Sequence, residues 1–276
     1  MRCARMSAIT VAVLLFAPAG ATATRFLLFP FDPNLSLFVQ SYHQHPQPKA
    51  ALDRFLAIDI ESFEKDALSA QQPHSRAVLM AFFAHVLHAN PSLVLPFAEQ
   101  LVANATGSKA AFGSEAIAYG ASSSRADALE LIAERFALAQ EHRASLTNAA
   151  EFPYPQMKAA NWQDLDILWA CFFASGDRAY IRAIVEPLNR FAVPEDTWMQ
   201  RAEQLTNSPP GKDSPEYAEW IDLLTARAAL FGITLNATQY PAVLDALAAL
   251  AEEPTRAGEL SKKVVLKLRA RRHGDP

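Results

Sequence analysis

Cysteine is nearly missing from this chain: among its 276 residues only Cys3 and Cys171 carry a thiol. Once the first two dozen residues are set aside as an export segment, Cys171 stands alone and no internal disulfide can form, so stability has to come from packing. Its setting, Ile167-Leu168-Trp169-Ala170-Cys171-Phe172-Phe173, reads as a buried, inert thiol. Glycine is sparse as well, at nine residues, and no glycine-rich phosphate loop or dinucleotide pattern occurs, which sets nucleotide chemistry aside and calls for no cofactor. The Gly-x-Ser-x-Gly elbow and the His-Glu-x-x-His zinc pattern are also missing, so the common hydrolase signatures fail. Beyond Thr24 no apolar run is long enough to span a bilayer, and the best, Ala77 to Leu87, contains His85. An excess of basic charge is lacking too. The formal charge is −4, becoming −6 if Arg2 and Arg5 are removed, which argues against nucleic-acid binding by bulk electrostatics.

What is present begins at the N-terminus. Arg2 and Arg5 precede the apolar run Ala8 to Ala17, and Ala21-Thr22-Ala23 then offers small residues suited to a signal peptidase. Pro18 and Gly20 interrupt the run before it reaches the roughly 20 residues of a membrane span. The expectation is a signal peptide over residues 1–23, cut between Ala23 and Thr24, with the mature protein periplasmic or secreted.

Alanine, leucine and glutamate dominate, β-branched runs are scarce and no two-residue alternation persists, so helix is expected almost throughout. Pro33, Pro48, Pro73, Pro91 and Pro241 each open an apolar-periodic stretch, where proline costs least. The candidate helices before the proline-rich connection Phe152-Pro153-Tyr154-Pro155 are Pro33 to Gln44, Pro48 to Ala57, His74 to Ala89, Pro91 to Ala103, Lys109 to Tyr119 and Arg125 to Ala139. After it come Trp162 to Ala174, Arg178 to Asn189, Glu195 to Leu205, Pro215 to Phe231, Pro241 to Ala251 and Thr255 to Ala270. Links as short as Asn90 predict that neighbouring helices fold back antiparallel.

Arg125-Ala126 with Leu131-Ile132 recurs as Arg178-Ala179 with Ile184-Val185, each set following a small-residue turn. Gly176-Asp177 followed by Tyr180 resembles one hairpin of a tetratricopeptide repeat, although that family's spaced Trp, Gly, Ala and Pro positions do not recur. The expected fold is therefore all-α: stacked antiparallel helical hairpins, solenoid-like and at most similar to tetratricopeptide repeats. Residues 24–150 and 151–276 are expected as two helical lobes or one continuous body.

Histidines are the best candidates for chemistry. His85 and His88 lie three apart and share a helix face, and with His43, His45 and His74 they offer a candidate metal site, outweighed by the reading that they are solvated or structural. Asp164, Asp166 and Asp177 surround Trp162, Trp169, Phe172 and Tyr180, but Asp164 and Asp177 are placed to cap helices. The last helix carries Arg256, Lys262, Lys263, Lys267, Arg269, Arg271 and Arg272 beside the apolar line Leu260, Val264, Leu268. Such a helix closes a stack, or meets a partner or an anionic membrane through Lys262, Lys263, Lys267 and Arg269. Asn34, Asn104 and Asn236 each open an Asn-x-Ser/Thr acceptor pattern. No catalytic residue stands out. The functional expectation is an exported, non-catalytic module that binds a protein or peptide; the alternative is a small-ligand binder or enzyme with an interlobe pocket near Trp162, Trp169 and Tyr180.

Overall fold

A proline at the first turn of a helix loses no hydrogen bond, since that N–H has no intrahelical partner, and Pro33, Pro48 and Pro241 all occupy such positions. The computed structural model describes residues 27–120, 123–136, 140–147, 149, 157–190 and 195–272. The signal segment, the cleavage pair Ala23 and Thr24, and residues 150–156 of the proline-rich connection lie outside the described residues.

Among the described residues there are fourteen α-helices and no strand, so the chain is all-α. The first eight are α1 (Pro33–Ser41), α2 (Pro48–Ala57), α3 (Ile60–Ser69), α4 (Ser75–Ala89), α5 (Val94–Asn104), α6 (Gly107–Gly120), α7 (Arg125–Phe136) and α8 (Gln140–Thr147). The remainder are α9 (Trp162–Ser175), α10 (Arg178–Val185), α11 (Glu195–Asn207), α12 (Glu216–Gln239), α13 (Pro241–Leu250) and α14 (Arg256–Arg272). Contacts divide the chain into two compact units, Leu27–Met157 with Asp166–Tyr180, and Lys158–Leu165 with Ile181–Pro276. The chain passes between them within α9 and within α10.

The first unit is built on phenylalanine. Phe55 of α2 meets Phe83, Phe97 and Phe112 at ring-centroid distances of 4.9, 5.2 and 5.4 Å, tying α2 to α4, α5 and α6. The pairs with Phe83 and Phe97 are edge-to-face, a geometry that adds about 1 kcal/mol per pair beyond burial. Within this unit α4 packs chiefly on α6, and α5 on α7. The α4–α6 contact requires Gly120, because a Cβ there would lie 2.2 Å from the Ala84 carbonyl oxygen. In the second unit α11 packs on α12, α12 on α13, and α13 on α14, with a 3₁₀ turn at Glu186–Arg190 against α12 and α14.

Several departures from the sequence expectation have local causes. Helix α3 was not expected; Asp59 caps it, its carboxylate accepting from the Ser62 amide at 3.2 Å, while Ile60, Phe63 and Ala67 turn inward. The expected helix from Arg178 to Asn189 ends as an α-helix at Val185 and tightens to 3₁₀, since Pro187 can neither donate to the ladder nor leave the residue before it comfortably helical. Helix α12 continues past Phe231 to Gln239, through Gly232, because Ile233, Asn236 and Ala237 are buried and packing overrides glycine's poor helix propensity. Finally, α4 and α5 do not fold back on each other across Asn90: the axis turns by 106°. No single described helix is long and apolar enough to cross a membrane.

Candidate functional site

Several polar side chains of the first unit meet on α4. At its N-terminal end the His74 Nε2–H donates to Asp166 of α9 at 2.8 Å, and both groups are partly open to solvent, with side chains 18% and 28% exposed. Two residues on, Arg76 bridges Glu64 of α3 and Glu115 of α6, the second at 2.8 Å, with its guanidinium 4.5 Å over the Phe112 ring. The carboxylates hold this guanidinium's pKa above its ordinary value despite burial. This arrangement joins three helices.

At the other end of α4, Nε2 of His85 and the Tyr180 hydroxyl are hydrogen-bonded at 2.5 Å. Burial, and then the neighbouring His88, push the His85 pKa down from 6.5 to about 4, so the ring is neutral near pH 7. His88 Nδ1 donates to the Gly120 carbonyl at 3.2 Å. His85 and His88 do share a helix face, yet their ring planes stand at 86° with centroids 6.5 Å apart, and each turns a nitrogen to a different protein partner. Among the described residues no three metal-ligating side chains come together. His43 packs against Phe172 and Phe173, its pKa lowered by burial, and His45 is exposed.

The aromatic candidates separate. Trp169 and Tyr180 are each 1% exposed in the first unit, where Trp169 stacks on Phe173, whereas Trp162 belongs to the second unit and packs edge-on against Trp220. Trp169 and Tyr180 therefore present almost no surface to a ligand. Asp164 does act as a cap: its Oδ2 accepts from the amides of Ala160 and Asn161, while Asn161 Oδ1 accepts from Gln163 and Asp164, a reciprocal capping box. Asp177 accepts from the Ala179 amide, following Gly176 in the left-handed conformation at φ +70°. Cys171 is fully buried, and burial raises its thiol pKa well above the ordinary value, which makes it inert. Asn236 is 0% exposed and unavailable to a glycan in the folded chain.

A cleft of about 320 Å³ in the first unit had no sequence signal; Phe31, Arg54, Phe63 and Asp66 line it with the cap residues Asp32 and Asp59. Asp32 and Asp59 are occupied by the amides of Leu35 and Ser62, so the concavity forms where two helix N-termini and their caps meet. On α14 in the second unit, Leu260, Val264 and Leu268 are buried while Lys262, Lys263, Lys267 and Arg269 are exposed. Comparison of the chain with protein-family models, with curated proteins and with solved structures yields no match.

Proposed function

We propose that the chain is an exported, non-catalytic helical-repeat protein that binds a protein or peptide, its helices stacked in solenoid fashion. The observation that carries this reading is the alternate-helix packing in the first unit, α4 on α6 and α5 on α7. Alternate-helix contact is what a stacked array of two-helix units produces, and such arrays serve binding through extended faces. The fate of the reactive groups supports it: His85, Arg76, Asp164 and Asp177 hold tertiary contacts or cap helices, and Cys171 is buried. Export rests on the charged, apolar and small-residue succession of residues 1–23.

The test is recovery of the full-length tagged chain from a bacterial host that expresses it, followed by mass spectrometry. The expected protein begins at Thr24 in the exported fraction, and crosslinking before lysis yields a discrete heteromeric adduct of fixed stoichiometry. A chain retained whole in the cytoplasm overturns the export reading. An exported chain that yields only uncrosslinked protein overturns the binding role.

A further inference from the structure

Helix α14 turns one face onto the second unit and leaves the other bare. Ala257, Leu260, Val264, Val265 and Leu268 are buried against α13, α12 and the Glu186–Arg190 turn. The opposite face carries Lys262, Lys263, Lys267 and Arg269, all exposed and none within ion-pairing distance of a carboxylate among the described residues. Its one acid, Glu259, is paired with Arg256 at 3.0 Å. Leu266 lies amid these cations, 56% exposed in a helix whose other leucines and valines are buried. Helical geometry puts Lys262 and Lys263 one turn before Leu266 and Arg269 one turn after it, so the apolar side chain is enclosed by positive charge. A strip of four cations runs against the charge of the whole chain, which is −4.

We infer that this strip of α14 docks on an anionic lipid surface, its cations at the phosphates and Leu266 in the headgroup layer. A planar bilayer fits better than an acidic polypeptide, because the strip is a convex helix face, whereas peptide recognition uses grooves or sheet edges. A leucine ringed by cations is the pattern of an interfacial helix, in which apolar burial and phosphate attraction act together. The inference does not depend on the protein-binding role. Each cation near an anionic bilayer contributes about a fivefold gain in partitioning.

The test is co-sedimentation of the full folded chain, at low salt, with phosphatidylcholine vesicles with and without phosphatidylglycerol. The expected result is binding that requires phosphatidylglycerol and is lost at high salt. Lys262→Gln with Lys267→Gln should weaken it about 25-fold, and Leu266→Ser a few-fold, with circular dichroism unchanged because all three positions are exposed. The inference is overturned by absence of binding at low salt, by equal binding to vesicles lacking phosphatidylglycerol, or by a double variant that binds as the parent does. Capture by polyglutamate without capture by vesicles reassigns the strip to an acidic polypeptide. Polyglutamate also serves as the control if a variant misfolds, since the parent chain alone then decides between the two surfaces.

Discussion

Lowering the pH should unfold this protein partly through one side chain, His85. The ring is 9% exposed, with Tyr180, His88 and Asp177 as its titratable neighbours. Burial and then His88 depress its pKa from 6.5 to about 4, against the opposing pull of Asp177. The folded value lies below the unfolded one, so the unfolded chain takes up this proton first as the solution is acidified. The stability contributed by keeping the ring neutral is therefore fully present above pH 6.5, falls as the pH drops, and levels off near pH 4. At about 1.4 kcal/mol per pKa unit the whole effect is about 3 kcal/mol, of which about 2 kcal/mol is gone by about pH 5. Urea unfolding of the parent and of His85→Gln, followed from about pH 7 to about pH 4, isolates this contribution because glutamine can still face Tyr180 but cannot titrate. The expected result is that the parent loses about 3 kcal/mol more than the variant over that range. Parallel pH profiles would refute the assignment, since acid unfolding would then arise from other groups.

Three substitutions test the packing and the backbone. Gly120→Ala places a Cβ 2.2 Å from the Ala84 carbonyl and should cost about 2 kcal/mol even after alanine's helix preference is counted; an unchanged melting temperature would mean α4 and α6 are not in contact there. Asn236→Leu replaces a fully buried amide whose oxygen and nitrogen have no partner among the described residues, so it should stabilise by about 1 kcal/mol. A loss of stability would instead reveal a group hydrogen-bonded to Asn236. Ser124→Gly relieves a left-handed backbone at φ +56° and should raise stability by about 0.5 kcal/mol, the relief being partly offset by glycine's freedom in the unfolded chain; a fall in thermal midpoint would exclude strain at that turn.

The features legible in the sequence are those set by neighbours within one turn. Pro33, Pro48 and Pro241 marked helix starts, and Asp164 and Asp177 the acids that hold free amides, because each acts over two to four residues. Helix α3 had the same kind of signal in Asp59 and Ser62, with Ile60, Phe63 and Ala67 at helical spacing, and could have been found from it. The side-chain pairs on α4 were not legible. His74 reaches 92 residues to Asp166, and His85 reaches 95 to Tyr180, so nothing in the local pattern distinguishes these histidines from solvated ones.

The antiparallel hairpin expected at Asn90 fails for a reason that also explains the packing beyond it. Reversing a helix takes a loop of about two to five residues, whereas here one residue, Asn90 at φ −136°, is followed at once by the 3₁₀ turn Pro91–Leu93. That corner can swing the axis by 106° but cannot return the chain along α4. The next corner, at Ala105 and Thr106, delivers α6 onto α4, where Gly120 meets Ala84 backbone to backbone. Helix α7, which begins at Arg125, packs on α5. The main contacts of this unit thus join helices two apart, beside lesser contacts between the successive helices α5 and α6 and α6 and α7. Any repeat in the sequence should therefore be sought between a helix and the next but one, where small residues have to recur at the crossings.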